Sequence, residues 1–256
     1  MNNQILKAAC SLMLMRRTPI EGVRGVFLYN NSNTLLQEGM RLENLDLKAE
    51  EQLFVWDKGV VINPRFKRST VFVHSGGQVN GGIIDGARNY YITVGAGGVI
   101  SGLTAEMPSG YLAFDVQANG VMDSCVINGG SAIVHGVAND CILNWEYSVP
   151  HITVKNGGVA NRSVIRSWQE IEAGGTSNYT HILSYHERVQ AGGTSNHAII
   201  YSDGRQEVRG ISNYATVESG GQMRVYSGGQ ALNLFKKSGA VVTVDTGATV
   251  TYRSEE

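Results

Sequence analysis

An apolar residue followed within a few positions by glycine returns about every 19 residues along this 256-residue chain, which restricts the fold to one assembled from short, similar units. The anchors are Leu36, Val55, Val73, Val94, Val116, Val134, Val154, Ile171, Val189, Val208, Val225 and Val244. The clearest copies read Val-x-x-Gly-Gly, as at Val73 with Gly76-Gly77, Val154 with Gly157-Gly158 and Val225 with Gly228-Gly229. Paired glycines permit positive φ, so each pair marks a tight corner closing a short strand. A second apolar cluster follows, as at Ile83-Ile84, Val164-Ile165, Ile182-Leu183 and Ile199-Ile200, so each repeat holds at least two strands.

Helical repeats need about 33 residues or more and helix-forming composition, whereas these units are rich in Gly, Val, Ile, Thr, Ser and Asn. A β-propeller blade would need two adjacent units, and the near-constant single period favours stacking over blades. The expected fold is all-β: a right-handed parallel β-helix, or β-solenoid, of about 12 coils. Its open ends need caps. Ile5, Leu6, Ala9, Leu12 and Met13 follow a helical periodicity, so residues 1–30 are expected to form a short helical cap, with Arg24 to Tyr29 lidding the first coil. Residues 31–251 would then be the repeats and 252–256 a polar tail.

Stacking brings equivalent residues above one another about 4.8 Å apart. A polar column is expected at Asn80, Ser101, Asp123, Asn161, Asn178, Asn196 and Asn213, its side chains pointing inward at the corner and bonding along the stack. Just before four successive anchors stand Glu170, Arg188, Glu207 and Arg224, whose alternating sign suits stacked strands. Tyr179, His197 and Tyr214 each follow the column asparagine and are expected to face outward, as a candidate recognition surface for a glycan or a protein. Cross-coil ring stacking that merely stabilises the outer face is the competing reading. The lengthened coils after Val73 and Val94, and the one carrying Trp145, Tyr147 and Pro150, are where binding loops are expected.

With Gly174 to Asn178 and Gly192 to Asn196 both reading Gly-Gly-Thr-Ser-Asn, and Val217 to Gly229 repeating the Ser-Gly-Gly corner, the chain resembles AIDA-type autotransporter adhesin passengers. The likeness is strongest from about Val154 to Val244. It implies a passenger displayed on a bacterial surface and acting in attachment or aggregation, with Thr176, Ser177, Thr194 and Ser195 as candidate glycosylation acceptors. The apolar run from Ala8 to Met15 makes a poor leader, because Arg16 and Arg17 stand where small cleavage-site residues belong. Nor is there a run of strands of the membrane-barrel kind. A cytoplasmic location is therefore the alternative to the cell surface, and a soluble or phage-derived interaction protein the alternative function.

Other chemistry finds little support. A net charge of −1 gives no footprint for nucleic acid, and no stretch is apolar enough for a membrane-spanning helix. Cys10, Cys125 and Cys141 suggest buried thiols rather than a disulfide framework or zinc site. His74 and His135 share a position three coils apart, too far to hold one metal, and His181, His186 and His197 occupy different ones. β-Helices also host polysaccharide lyases and hydrolases, and here only Asp123 and Asp140 are placed to approach each other as a carboxylate pair. No cofactor and no catalytic residue is assigned. Side-by-side association into a homo-oligomer is open.

Overall fold

The computed structural model describes residues 25–29, 35–85, 90–106, 112–145 and 150–254. It is a β-solenoid, and among the described residues there is no helix. The helical pattern from Ile5 to Met13 lies outside the described residues. Most turns carry three short strands, consistent with the expected minimum of two, as in Thr70–Val73, Gln78–Asn80 and Ile83–Asp85, while His181–Val189 and Ile199–Val208 each join the third strand of one turn to the first of the next. All three pair in parallel with their counterparts one turn away. About ten turns are complete, fewer than the twelve anchors suggested, because the first and last anchors belong to incomplete turns.

From Val55 to Val244 the anchors form one unbroken register: Val55, Val73, Val94, Val116, Val134, Val154, Ile171, Val189, Val208, Val225 and Val244. All but the last are completely buried, at 0% exposure. Leu36 is the exception. Its strand, Leu35–Gly39, does not lie beside Gln52–Trp56, because Gly25–Tyr29 inserts between them antiparallel to both. The segment expected to lid the first coil is thus a strand that breaks the parallel order there. Phe27 lies 5.7 Å from Trp56 in this region, and Phe54 stacks on Phe72 at 5.1 Å, all four rings being buried. At the other end the strand Thr249–Tyr252 runs one residue past the expected boundary at 251.

The asparagine column is present, with Asn80, Ser101, Asp123, Asn139, Asn161, Asn178, Asn196 and Asn213 in register. Asn139 belongs to it although the spacing rule missed it. Each Nδ2 donates to the preceding Oδ1 along Asn139, Asn161, Asn178, Asn196 and Asn213, at 2.9 to 3.0 Å. The expected direction is corrected: these asparagines stand half-buried on the outer side, and the residue before each one faces the interior. Three-residue strands alternate out, in, out, so Val79, Ile100, Met122, Ala138, Ala160, Ser177, Ser195 and Ser212 point inward.

That inward series changes character at Ser177, and a neighbouring one changes with it. Two residues before each anchor, the interior positions run Leu53, Val71, Ile92, Phe114, Ala132, Ile152, then Gln169, Glu187, Gln206, then Met223. Gln169, Glu187, Gln206, Ser177 and Thr180 are 0% exposed, so three turns have a polar interior. Glu187 accepts at one oxygen from Gln169 (3.0 Å) and Ser177 (3.0 Å), and at the other from Ser195 (2.8 Å) and Gln206 (2.6 Å). Ser212 donates to Gln206 at 2.9 Å, and Thr180 donates to Ser177 at 2.5 Å, because the one Ser177 proton goes to Glu187. The belt divides the apolar core in two, one cluster ending at Ile171 and the next starting at Ile182.

Cys125 and Cys141 are free and buried, one turn apart in the strand-entry position where Ile142 N–H donates to the Cys125 carbonyl. Burial pushes the Cys125 thiol up to about 12 and raises Cys141 in the same direction. In the unfolded chain these thiols ionise near 9, so the unfolded state sheds protons that the folded state keeps. Their contribution is whole below that value and declines as pH rises. For Cys125 alone the expected loss at about pH 10 is on the order of 1 kcal/mol. Urea midpoints at pH 8 and 10 for wild type and Cys125→Ala check this, the variant having the smaller drop.

Candidate functional site

The turn after each middle strand is made by one residue in left-handed conformation. Glycine fills it at Gly81 and Gly102, but from Ser124 onward side chains do, through Asp140, Arg162, Tyr179, His197 and Tyr214, with φ between 51° and 57°. Such a conformation costs about 1–2 kcal/mol for a non-glycine residue. A second ladder offsets it: each of these N–H groups donates to the carbonyl of the column residue one turn on, as Tyr179 to Asn196, His197 to Asn213 and Tyr214 to Leu232, all at 2.8 Å.

This backbone holds the three ring-bearing residues in line. Tyr179 and His197 have centroids 4.8 Å apart and His197 and Tyr214 5.1 Å, both at 10° between planes. Tyr179 is 54% and Tyr214 46% exposed. The three rings therefore form one outward stack, the cross-coil ring stacking of the competing reading. Its ring faces cover each other, so it presents edges and hydroxyl groups to solvent. One turn below Tyr179, Arg162 grips Asp140 with two bonds of 2.7 and 2.6 Å. The stack thus continues a charged column on the same corner.

The candidate acceptors divide by the same alternation. Ser177 and Ser195 are enclosed, at 0% and 1% exposure, and are bonded into the Glu187 network, so neither hydroxyl is reachable in the folded chain. Thr176 and Thr194 pair in register on the outer side and are half-buried.

The carboxylates weighed for glycoside chemistry are otherwise engaged. Arg162 holds Asp140 below the usual carboxylate range, the opposite of what a general acid needs, and Asp123 accepts from Ser124 at 2.9 Å. No group of three metal-ligating side chains occurs among the described residues, and no described helix is long and apolar enough to cross a membrane. His74 is buried, and burial lowers its pKa.

The charged column before the anchors is in register as expected, Glu170 beside Arg188, Glu207 and Arg224. Arg188 pairs with Glu207 at 3.0 Å, Arg205 and Arg209 converge on the same carboxylate, and Arg224 turns instead to Asp245 at 3.2 Å. Burial pushes Glu207 up, but Arg188 and Arg205 outweigh that and leave it below the usual range.

A second aromatic group was not legible as one in the sequence. Trp145 meets Tyr185 edge-on at 4.6 Å and 89°, Tyr185 lies 5.6 Å from His186, and His186 lies 4.4 Å from Trp168. Arg188 sits 4.7 Å over the Trp168 ring. The extra length after Trp145 had marked the place but not its partner two turns away.

No protein-family model matches the sequence, and no curated protein matches it. Among solved structures it is similar to the crystal structure of a TibA fragment hyperglycosylated by TibC, at 22% identity over 82% of this chain and 84% of that one, with a TM-score of 0.66. The two share one fold. That agreement in architecture fits the AIDA-type repeats read from the Gly-Gly-Thr-Ser-Asn corners.

Proposed function

We propose that this chain is a non-enzymatic binding module of adhesin-passenger type, displayed on a bacterial surface and acting in attachment or aggregation. The observation that carries it is the exposed stack Tyr179–His197–Tyr214, held in line by a backbone ladder that leaves nothing to order on binding. A row of ring edges and hydroxyls fits a large, flat partner, and aromatics supply contact area at low entropic cost. The fold shared with the TibA fragment supports the class, and the modification named for that fragment makes Thr176 and Thr194 the acceptors to examine here. By this reading the module works outside the cell.

Purified protein is expected to bind epithelial or bacterial cells, or to self-associate in sedimentation, and substitution of Tyr179, His197 and Tyr214 by alanine is expected to reduce that signal. Absence of cell binding, glycan binding and self-association in the wild type would remove the proposal.

A further inference from the structure

We propose that the arginine-rich outer face around Glu207 binds an anionic glycan, one bearing sulfate or carboxylate groups, laid along the solenoid axis. The assignment rests on reading the chain as a surface binding module. The face is carried by the parallel strands Trp168–Ile171, His181–Val189, Ile199–Val208 and Gln222–Val225, all within the described run 150–254. Arg188, Arg205 and Arg209 lie 3.0, 3.1 and 3.5 Å from the Glu207 carboxylate. One negative charge thus meets three positive ones. The other carboxylates in the same columns have partners of their own: Arg224 holds Asp245 at 3.2 Å, Gln190 donates to Glu170 at 2.5 Å, and Lys155 holds Glu172 at 2.5 Å.

The excess charge is on the solvent side. The Glu207 side chain is 9% exposed, against 26%, 40% and 36% for Arg188, Arg205 and Arg209. A guanidinium has five N–H donors, and a carboxylate offers roughly four acceptor sites. Three guanidiniums on one carboxylate therefore keep most of their donors for a ligand. The forks are also held in place before any ligand arrives. Arg188 sits 4.7 Å over the Trp168 ring, and Arg209 and Arg224 sit 3.8 and 4.7 Å over Tyr226. Planar, pre-set forks suit the oxygens of sulfate and carboxylate groups.

The layout separates a glycan from a nucleic acid. Single-stranded nucleic acid is gripped by stacking bases on open rings, and here Trp168 and Tyr226 already carry guanidinium groups. A duplex is held by a wide basic field, which a chain of net charge −1 does not supply. An acidic glycan needs neither. Arg188 and Arg224 stand in one column with Glu207 between them, two turns apart, or about 10 Å along the axis. That distance exceeds a single small anion and suits acidic groups on successive sugar units of one chain, whose hydroxyls take the remaining donors.

The test titrates the whole chain, by calorimetry, with a sulfated heparin hexasaccharide, a carboxylated hyaluronan hexasaccharide and an uncharged dextran oligosaccharide. Wild type is expected to bind at least one of the two acidic probes, which identifies the group recognised, and to ignore dextran. Affinity should fall about tenfold between about 50 and 200 mM salt. The double variant Arg205→Gln/Arg209→Gln is expected to bind about tenfold or more weakly and with a flatter salt dependence, its circular dichroism matching wild type. Glu207→Gln removes the one carboxylate among the three arginines and is expected to tighten binding severalfold, a gain that damaged packing would not give. Tyr179→Ala should leave the affinity unchanged. Unaltered affinity in the double variant, no gain in Glu207→Gln, or equal binding of single-stranded DNA overturns this assignment while the module reading survives. Cell binding without binding of either acidic probe also overturns it and points to another partner. No binding of any kind removes both.

Discussion

Replacing Glu187 with alanine is expected to destabilise the solenoid by about 3–5 kcal/mol, because it takes the common acceptor from four buried donors. The carboxylate accepts from Gln169, Ser177, Ser195 and Gln206, and all five groups are essentially without solvent contact. Deleting the acceptor leaves donors with weaker alternatives, at about 1–3 kcal/mol for each left unpaired. Removing the whole belt is different. A variant carrying leucine at Gln169, Glu187 and Gln206, alanine at Ser177, Ser195 and Ser212, and valine at Thr180 restores the interior found in the preceding turns. It is expected to be near neutral or more stable than wild type.

Location matters as much as size. Solenoid stability is close to a sum of local and nearest-neighbour terms, and the belt lies where the apolar core is already divided between Ile171 and Ile182. In Glu187→Ala, amide hydrogen exchange should rise over residues 168–217 before it rises elsewhere, and urea unfolding should separate into two transitions. A single transition with uniform exchange would show that the belt is not the weak joint. The same division suggests what the belt does. An all-Val and Ile column tolerates slippage by a turn, whereas the bonds around Glu187 are satisfied in one register alone.

The anchor column was legible because one residue type recurs at one period: Val134, Val154 and Ile171 need only be counted to be stacked. Facing was harder. Alternation fixes which residues share a side but not which side is the inside, so in Thr176-Ser177-Asn178 the asparagine was expected to point inward, when the serine does. The same parity determines which of Thr176 and Ser177 a modifying enzyme could reach. The polar belt left a trace that went unread: Gln169, Glu187 and Gln206 adjoin Glu170, Arg188 and Glu207, and the outer charges drew attention from the inner ones. Its signal was the simultaneous turn to polar residues in two interior columns. Leu36 could not have been placed by period, since an antiparallel insertion from Gly25–Tyr29 obeys no repeat. Trp145 and Tyr185 belong to different coil positions, and only the ring's reach across Ser167 joins them.

The paired glycines make the second large prediction, because the two members of one corner do different work. At Gly157 φ is +78° and an added Cβ would meet nothing within 4 Å, so Gly157→Ala carries only the left-handed penalty, about 1–2 kcal/mol. At Gly158 an added Cβ would lie 2.0 Å from the Val134 carbonyl oxygen. That oxygen also accepts the Lys155 N–H at 2.9 Å, part of the ladder joining this turn to the one before. It cannot retreat without separating the turns. Gly158→Ala is therefore expected to cost about 3 kcal/mol or more, from overpacking together with a lost ladder bond. Gly157→Asn should cost least of the three, since asparagine tolerates the left-handed region. Urea midpoints in the order Gly157→Asn, Gly157→Ala, Gly158→Ala, from highest to lowest, are the expected outcome. Equal losses at Gly157 and Gly158 would mean that conformation alone, not the approach of one coil's carbonyl to the next coil's corner, dictates why glycine comes in pairs.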